Sequence, residues 1–288
     1  MAASAGISRA QAFLLWGLVF LYGLAHLGHL YADRLPSLLI VVLHVVPPAA
    51  FAVVHGSMLY RAKGMAIFSA LCLGFGALAE KVSLWTGFPF GHYVFTDLMG
   101  PKIFEIPFLL ALAYLGIGYV SWILALLILG YRNKPITGVR AAALPLLASF
   151  IMLAWDLSMD PCWSTLGHAW IWQQGGAYFG VPLSNFFGWF LTAYLYYQAF
   201  ALYCRAEPAV SGPSSRGYWG AAICLYAVCA AGNTLLLKQP MVPAVVTDAS
   251  GKQWLTADLL GSCVLVSLLV MALLALLAWL RLQKQRDS

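Results

Sequence analysis

Eight stretches of the chain are almost wholly apolar: residues 10–31, 36–60, 64–84, 104–130, 138–156, 183–204, 217–237 and 257–280. Each is close to the roughly 20 residues that a helix needs to cross hydrocarbon. The pattern therefore predicts an all-α, polytopic integral membrane bundle of about eight transmembrane helices. The first stretch is too long for a cleavable signal peptide, and no small-x-small cleavage site follows it. Pro47, Pro48 and Pro145 fall inside apolar stretches. Such prolines are tolerated where neighbouring helices satisfy the carbonyls they free. Residues 1–288 read as one integral membrane domain, with a core at about 64–204 flanked by helices within 1–60 and 217–281.

The polar intervals are uneven. Connections 85–103 and 157–182 are long and rich in Gly, Pro and aromatic residues. Long connections are functional or disordered, and this aromatic content argues against disorder. Sliding the chain by 75 residues sets Leu78-Ala79-Glu80 on Leu153-Ala154-Trp155 and Lys81-Val82-Ser83-Leu84 on Asp156-Leu157-Ser158-Met159. The same offset sets Phe104-Glu105-Ile106-Pro107 on Phe179-Gly180-Val181-Pro182. A repeat of helix hairpins 3–4 and 5–6 is the expectation, with a site at their interface.

Composition sharpens the class. Hydrophobic residues make up 62% of the 288, and only 9% are charged. A soluble domain carries about 25% charged residues, so a soluble monomer is excluded, as is a disordered chain. The basic residues are scattered, so the pI near 9.0 speaks for membrane orientation rather than nucleic acid. With eight spans, Arg9, Arg61, Lys63, Arg132, Lys134, Arg140, Arg205, Arg216, Arg281, Lys284 and Arg286 share one side. Arg34, Lys81, Lys102, Lys238 and Lys252 take the other. The richer side is cytoplasmic by the positive-inside rule, which puts both termini there. Asp33, Glu80, Asp97, Glu105, Asp156, Asp160, Asp248 and Asp258 then lie toward the outer face, and only Glu207 and Asp287 lie inside. Ionisable chemistry is expected near the outer helix ends. The six cysteines form no CxxC pair, and only Cys162 falls in an expected loop, so small core cysteines are the reading.

Asp156 and Asp160 are four apart and share one helix face. Pro161 is expected to end the helix at Asp160. Two solvated interfacial acids are the plain alternative, but acids at membrane depth are costly and mark function. Glu80 and Lys81 close the third apolar stretch, where Lys81 reads as an ion pair or a snorkelling lysine. Asp97 either caps a turn or meets Lys102. His26 and His29 are three apart and could present two metal ligands with His44, although hydrogen-bonded core histidines are the favoured reading and no metal is expected. Gly74-x-Gly76-x-x-Ala79 lies inside an apolar helix and reads as helix packing, not a dinucleotide site. Trp85, Trp155, Trp163, Trp170, Trp172 and Trp189 lie in or beside the two long connections. An interfacial belt accounts for part of this cluster. It also suits a long apolar ligand, and aromatic faces can stabilise a cation.

Thr86-Gly87-Phe88-Pro89-Phe90-Gly91-His92-Tyr93, with Gly100-Pro101-Lys102 and Pro107, resembles the first signature of the CruF-type carotenoid biosynthesis membrane protein family. Asp156-x-x-x-Asp160-Pro161, Trp170-Ile171-Trp172, Gly176-x-Tyr178-Phe179-Gly180-Val181-Pro182-Leu183-x-Asn185 and Gly188-Trp189 resemble the second. Glu80 stands where the family has an acid. Phe95, where a tyrosine is expected, and Cys162 depart from the pattern. The resemblance covers residues 75–200 and implies a carotenoid hydratase that adds water to the terminal C1–C2 double bond of an acyclic ψ-end group. γ-Carotene, lycopene and bisanhydrobacterioruberin are the substrate type. Protonating an isolated alkene needs a positioned general acid in a dry site, and the tertiary cation needs aromatic and carboxylate neighbours. On that basis Asp156 or Asp160 is the expected proton donor, with Glu80 or the other aspartate as base. Phe90, Tyr93, Trp155, Trp172, Tyr178 and Trp189 form the expected substrate wall, and Asn185 the water holder. No cofactor is expected.

The implied partners are a carotenoid, membrane lipid and, as candidates, other carotenoid biosynthesis enzymes, in a bacterial inner membrane. A non-catalytic carotenoid or lipid binder, a metal-dependent lipid-modifying enzyme using His26, His29, His44 and an acid, and a small-molecule transporter are the competing classes.

Overall fold

The computed structural model describes residues 6–207, 212–240 and 242–284. Arg286 and Asp287 of the charge count lie outside them. The architecture is all-α: α1 Arg9–Gly28, α2 Ser37–Thr86, α3 Phe108–Ile128, α4 Arg140–Pro161, α5 Leu183–Ala206, α6 Arg216–Gly232 and α7 Thr256–Lys284. Three short antiparallel pairs decorate the connections. β1 (Tyr93–Phe95) pairs with β4 (Trp170–Trp172), β2 (Lys102–Ile103) with β3 (Ile106–Pro107), and β5 (Val245–Thr247) with β6 (Gln253–Leu255).

Among the described residues six helical segments are long and apolar enough to cross a membrane, which marks the chain as an integral membrane protein. Two of the eight apolar stretches depart from a one-helix-each pattern. Stretches 36–60 and 64–84 form the single 50-residue element α2, interrupted at Arg61, whose backbone has φ 59° and ψ 172°. An unbroken helix of that length would run about 75 Å, far beyond a hydrocarbon core. Tyr119 contacts both His55 and Phe68, which a straight helix would hold about 20 Å apart. The chain therefore doubles back at Arg61. Stretch 183–204 does form α5, but Asn185, Gln198 and four tyrosines, Tyr194, Tyr196, Tyr197 and Tyr203, make it too polar to count as a span by composition.

Burial locates the centre. In α3, 83% of the most apolar window is buried, against 33% in α1 and in α7. Helix α3 packs on α2, α4, α6 and α7, while α1 rests on α2 and α6. Phe13 and Phe20 on α1 and Leu265 and Leu269 on α7 point outward. A rim this apolar fits hydrocarbon, not water.

Two prolines of α4 show how the interior accommodates lost hydrogen bonds. Pro145 cannot donate to the Ala141 carbonyl, and the Gln198 amide donates to it instead at 3.1 Å. Pro161 leaves the Leu157 carbonyl free, and the Tyr178 hydroxyl donates to it at 3.1 Å. So α4 does not end at Asp160 as expected. It runs through Pro161 into a π-helical turn, Cys162–Leu166. Cys162 is accordingly buried in that turn rather than placed in a loop, and all six cysteines are free thiols.

The turns leading into α3 and α5 share a backbone. Phe104 and Phe179 both have φ 50°, Gly100 and Gly175 have φ 75° and 62°, and Glu105 and Gly180 have φ 73° and 87°. Ile103 pairs with Ile106, as Tyr178 does with Val181. Pro107 and Pro182 are the N-caps of the two helices, both extended.

Candidate active site

Helix α2 delivers Glu80 nearly two turns before it ends at Thr86. The segment that follows folds back on Ser83, whose hydroxyl accepts from the Phe90 amide and donates to the Gly91 carbonyl. This brings Phe90 onto Trp189 of α5, stacked at 4.7 Å. A Cβ at Gly188 would sit 2.7 Å from Phe90 and 2.9 Å from the Pro89 carbonyl oxygen, so that approach requires glycine. Strand β1 then pairs with β4 in the register Tyr93–Trp172 and Phe95–Trp170. The two long connections are thus one structure, stitched together across the mouth of the bundle.

Alternation along a strand puts residues two apart on one side. Trp170 and Trp172 both point inward from β4, and each indole N–H donates to Asp160 Oδ1 at 3.2 Å. Asn185, in the first turn of α5, donates from Nδ2 to Asp160 Oδ2 at 2.7 Å and to Asp156 Oδ2 at 3.2 Å. Glu80 accepts from the Tyr114 hydroxyl at 2.6 Å and from the Tyr93 hydroxyl. Burial, and next the Glu80 carboxylate beside it, push the Tyr93 phenol well up, which keeps its proton available for donation. Glu80, Asp156 and Asp160 are all buried. Among the described residues no lysine, arginine or histidine forms a salt bridge with any of them.

The three carboxyl groups open on one cavity of about 280 Å³, walled by Phe90, Tyr93, Phe95, Leu110, Tyr114, Met159, Trp170, Trp172, Asn185 and Trp189. A second, larger cavity of about 660 Å³ adjoins it and shares Leu110, Met159 and Trp170. Its walls are mostly apolar: Val41, Val45, Pro48, Ile117 and Trp155 among them. The two cavities thus set three buried acids beside a mostly apolar wall.

Of the sequence-derived site residues, Glu80, Asp156, Asp160, Phe90, Tyr93, Trp172, Asn185 and Trp189 line the smaller cavity. Trp155 does not. It faces the larger one. Tyr178 lines neither, because its hydroxyl is committed to the Leu157 carbonyl. Tyr114, Trp170, Phe95, Leu110 and Met159 join the lining without having been assigned there. The signal for Trp170 was its spacing of two from Trp172. Tyr114 lies in an apolar helix with no local mark. Lys81 pairs with Glu105 and Lys102 with Asp97, the latter at 2.8 Å, outside the cavity. Among the described residues, His26, His29 and His44 are the one group of His, Cys, Asp or Glu whose ligand atoms converge within metal-binding reach, all within 4.8 Å.

The model of the carotenoid biosynthesis protein family matches residues 37–252, three quarters of the chain. The chain belongs to that family. No curated protein and no solved structure matches it. The matched span holds α2 through α6, both long connections, all three acids and the aromatic lining of the smaller cavity. Family membership implies a carotenoid substrate, and hence an enzyme of carotenoid biosynthesis.

Proposed function

We propose that the protein is a carotenoid hydratase. It adds water across the terminal C1–C2 double bond of an acyclic ψ-end group, as in γ-carotene, lycopene or bisanhydrobacterioruberin. One observation carries the reading: three buried carboxyls, without a counter-cation among the described residues, meet in one aromatic cavity that adjoins an apolar one.

Hydrogen bonds divide the labour. Asp160 accepts three N–H groups, and each favours its carboxylate form. Asp156 accepts one, at 3.2 Å. Asp156 is thus the general acid. Its proton goes to C2 of the alkene, the π pair forms the new C–H bond, and a tertiary cation is left at C1. The Asp160 carboxylate and the faces of Trp172, Trp189 and Tyr114 stabilise that cation. Water attacks C1 and gives its extra proton to Glu80 or Asp160. The carboxyl set then returns that proton to Asp156, so water alone is consumed and the product is a tertiary alcohol.

The same reading extends to topology. Dividing α2 at Arg61 and counting α5, whose polar residues serve the site, makes eight crossings. The excess of Lys and Arg on the side of Arg9, Lys63 and Lys284 puts both termini in the cytoplasm. A repeat of two hairpins offset by 75 residues is supported by the left-handed pairs Phe104/Phe179 and Gly100/Gly175 and the capping pair Pro107/Pro182. It is also supported by the pairing of Phe95 with Trp170, which are themselves 75 apart.

The test is expression in a lycopene-producing host with mass-spectrometric analysis of the pigment, repeated with γ-carotene and bisanhydrobacterioruberin hosts. The expected product gains one water and carries a tertiary hydroxyl. Unaltered carotenoid in all three hosts, with the protein present in the membrane, overturns the assignment.

A further inference from the structure

The larger cavity ends in a cluster of histidines that the hydration chemistry does not use. His26 lies in the last turn of α1, His29 is the C-cap residue that follows it, and His44 faces them from α2. His44 donates from Nδ1 to the Ile40 carbonyl at 2.8 Å, which fixes its tautomer and makes Nε2 an acceptor. His29 Nε2 donates to that nitrogen at 3.1 Å, the proton a metal shared by the two rings would displace. A backbone carbonyl holding the far nitrogen of an imidazole is the usual support of a metal-binding histidine.

His26 is the telling member. It is buried, and among the described residues neither Nδ1 nor Nε2 has a hydrogen-bond partner. Buried polar atoms without partners are rare and need a reason. His55 supplies the contrast within the same molecule. It is equally buried, but Tyr119 meets its Nδ1 at 2.7 Å and the Tyr218 carbonyl its Nε2 at 3.1 Å. His55 is a satisfied core histidine, and His26 is not. Its ring is also placed with care. A Cβ at Gly232 would lie 2.2 Å from His26 Cγ and 2.4 Å from Nδ1, so α6 gives up a side chain to admit the imidazole. Tyr22 packs edge-on against His26, and Trp163 against His29 and His44. Three imidazoles converge in a dry aromatic shell and open toward a cavity.

We propose that His26, His29 and His44 form a binding site for one divalent first-row transition metal, with its free coordination position facing the larger cavity. Imidazole nitrogen suits zinc, iron, copper and nickel. Three protein ligands with one position left open is the arrangement of catalytic rather than structural zinc. Among the described residues no carboxylate belongs to the cluster. The open position therefore takes an oxygen ligand, a water, hydroxide or hydroxyl group that can reach it through the cavity. This site stands apart from the hydration reading, and the experiment below does not measure hydration.

The full chain, purified in detergent and stripped with chelator, is titrated with Co(II) and, separately, with Zn(II). One equivalent per chain should bind, with visible ligand-field bands of nitrogen-ligated Co(II). His44→Gln should weaken binding by about 100-fold or more, beyond what loss of a supporting partner costs. The exposed His92→Ala should bind as the native chain does. X-ray absorption of the loaded native protein should count three imidazoles, a reading that needs no variant to fold. No saturable one-equivalent binding, an unchanged affinity in folded His44→Gln, or fewer than three imidazoles at the metal overturns the proposal.

Discussion

The two adjoining cavities treat their polar groups in opposite ways. In the smaller one, each acid already has a donor: two phenols on Glu80, an amide on Asp156, two indoles and the same amide on Asp160. In the larger one, the buried imidazole of His26 has no partner among the described residues. A hydrogen-bonded set like that around the acids holds its geometry before any ligand arrives, which is what electrostatic catalysis needs. A set with an unserved member such as His26 is completed by what it binds. The difference teaches that burial alone says little about a polar group. Its partners tell whether it is finished.

The comparison can be broken most directly at Asp156. Asp156→Asn keeps the shape and removes the proton. Hydrated product should fall by about 10²–10⁴-fold, the range of general acid catalysis, while Co(II) affinity should not change. Activity within tenfold of the native enzyme removes Asp156 from the role of acid. Next come the indoles. Trp170→Phe and Trp172→Phe keep an aromatic face and delete one N–H each. Hydrogen bonds to charged groups contribute about 1.5–3 kcal/mol, so each should slow hydration by about 10- to 100-fold, read as initial rate in membranes. Rates equal to the native one mean that Asp160 does not depend on those donors. Gly232→Ala tests the other side of the comparison. It displaces the His26 ring and should weaken Co(II) binding about tenfold, leaving the Glu80, Asp156 and Asp160 constellation in place.

The smallest effect belongs to the surface pairs. Lys102 and Lys81 hold the carboxyls of Asp97 and Glu105 below their ordinary values by hydrogen bonding and charge. A carboxyl lowered in the folded state contributes stability above its unfolded value, and that contribution is lost as pH falls through the folded one. These groups are solvated, and exposed pairs are worth little. Acidification from pH 5 to pH 3 should therefore loosen the connection 96–107 in hydrogen exchange with little change in melting temperature. A large drop in melting temperature that Lys102→Met abolishes would show the pair to be a structural anchor instead.

Much of this was legible in the chain, and for identifiable reasons. Apolar length and the price of charge in lipid determine which segments become helices and which acids are worth following, so Glu80, Asp156 and Asp160 could be picked out before any geometry. Asn185 and Trp172 followed from the motif that carries them. Proline was harder to read. Pro161 forbids one donor but does not forbid the helix, because Tyr178 reaches the freed carbonyl from 21 residues away. The same contact takes Tyr178 out of the cavity. Trp155 neighbours Asp156 in sequence, but adjacent residues on a helix face different directions, and it lines the other cavity. Tyr114 meets Glu80 across 34 residues with nothing local to announce it. The break at Arg61 was legible as the gap between stretches 36–60 and 64–84, because Arg61 and Lys63 interrupt the apolar run there.

The substitute donors of α4 have a consequence for assembly. The Ala141 carbonyl depends on Gln198, which lies 57 residues further along the chain. At about 5–20 residues per second of synthesis, the acceptor exists for roughly 3–11 seconds before its donor. In hydrocarbon that interval is costly, since nothing else can serve the carbonyl. Helix α4 is therefore poorly suited to enter the bilayer alone. It is expected to remain beside the insertion machinery until α5 emerges and the two partition as a pair, so that the order of synthesis itself delivers the aspartates and the asparagine to the site together.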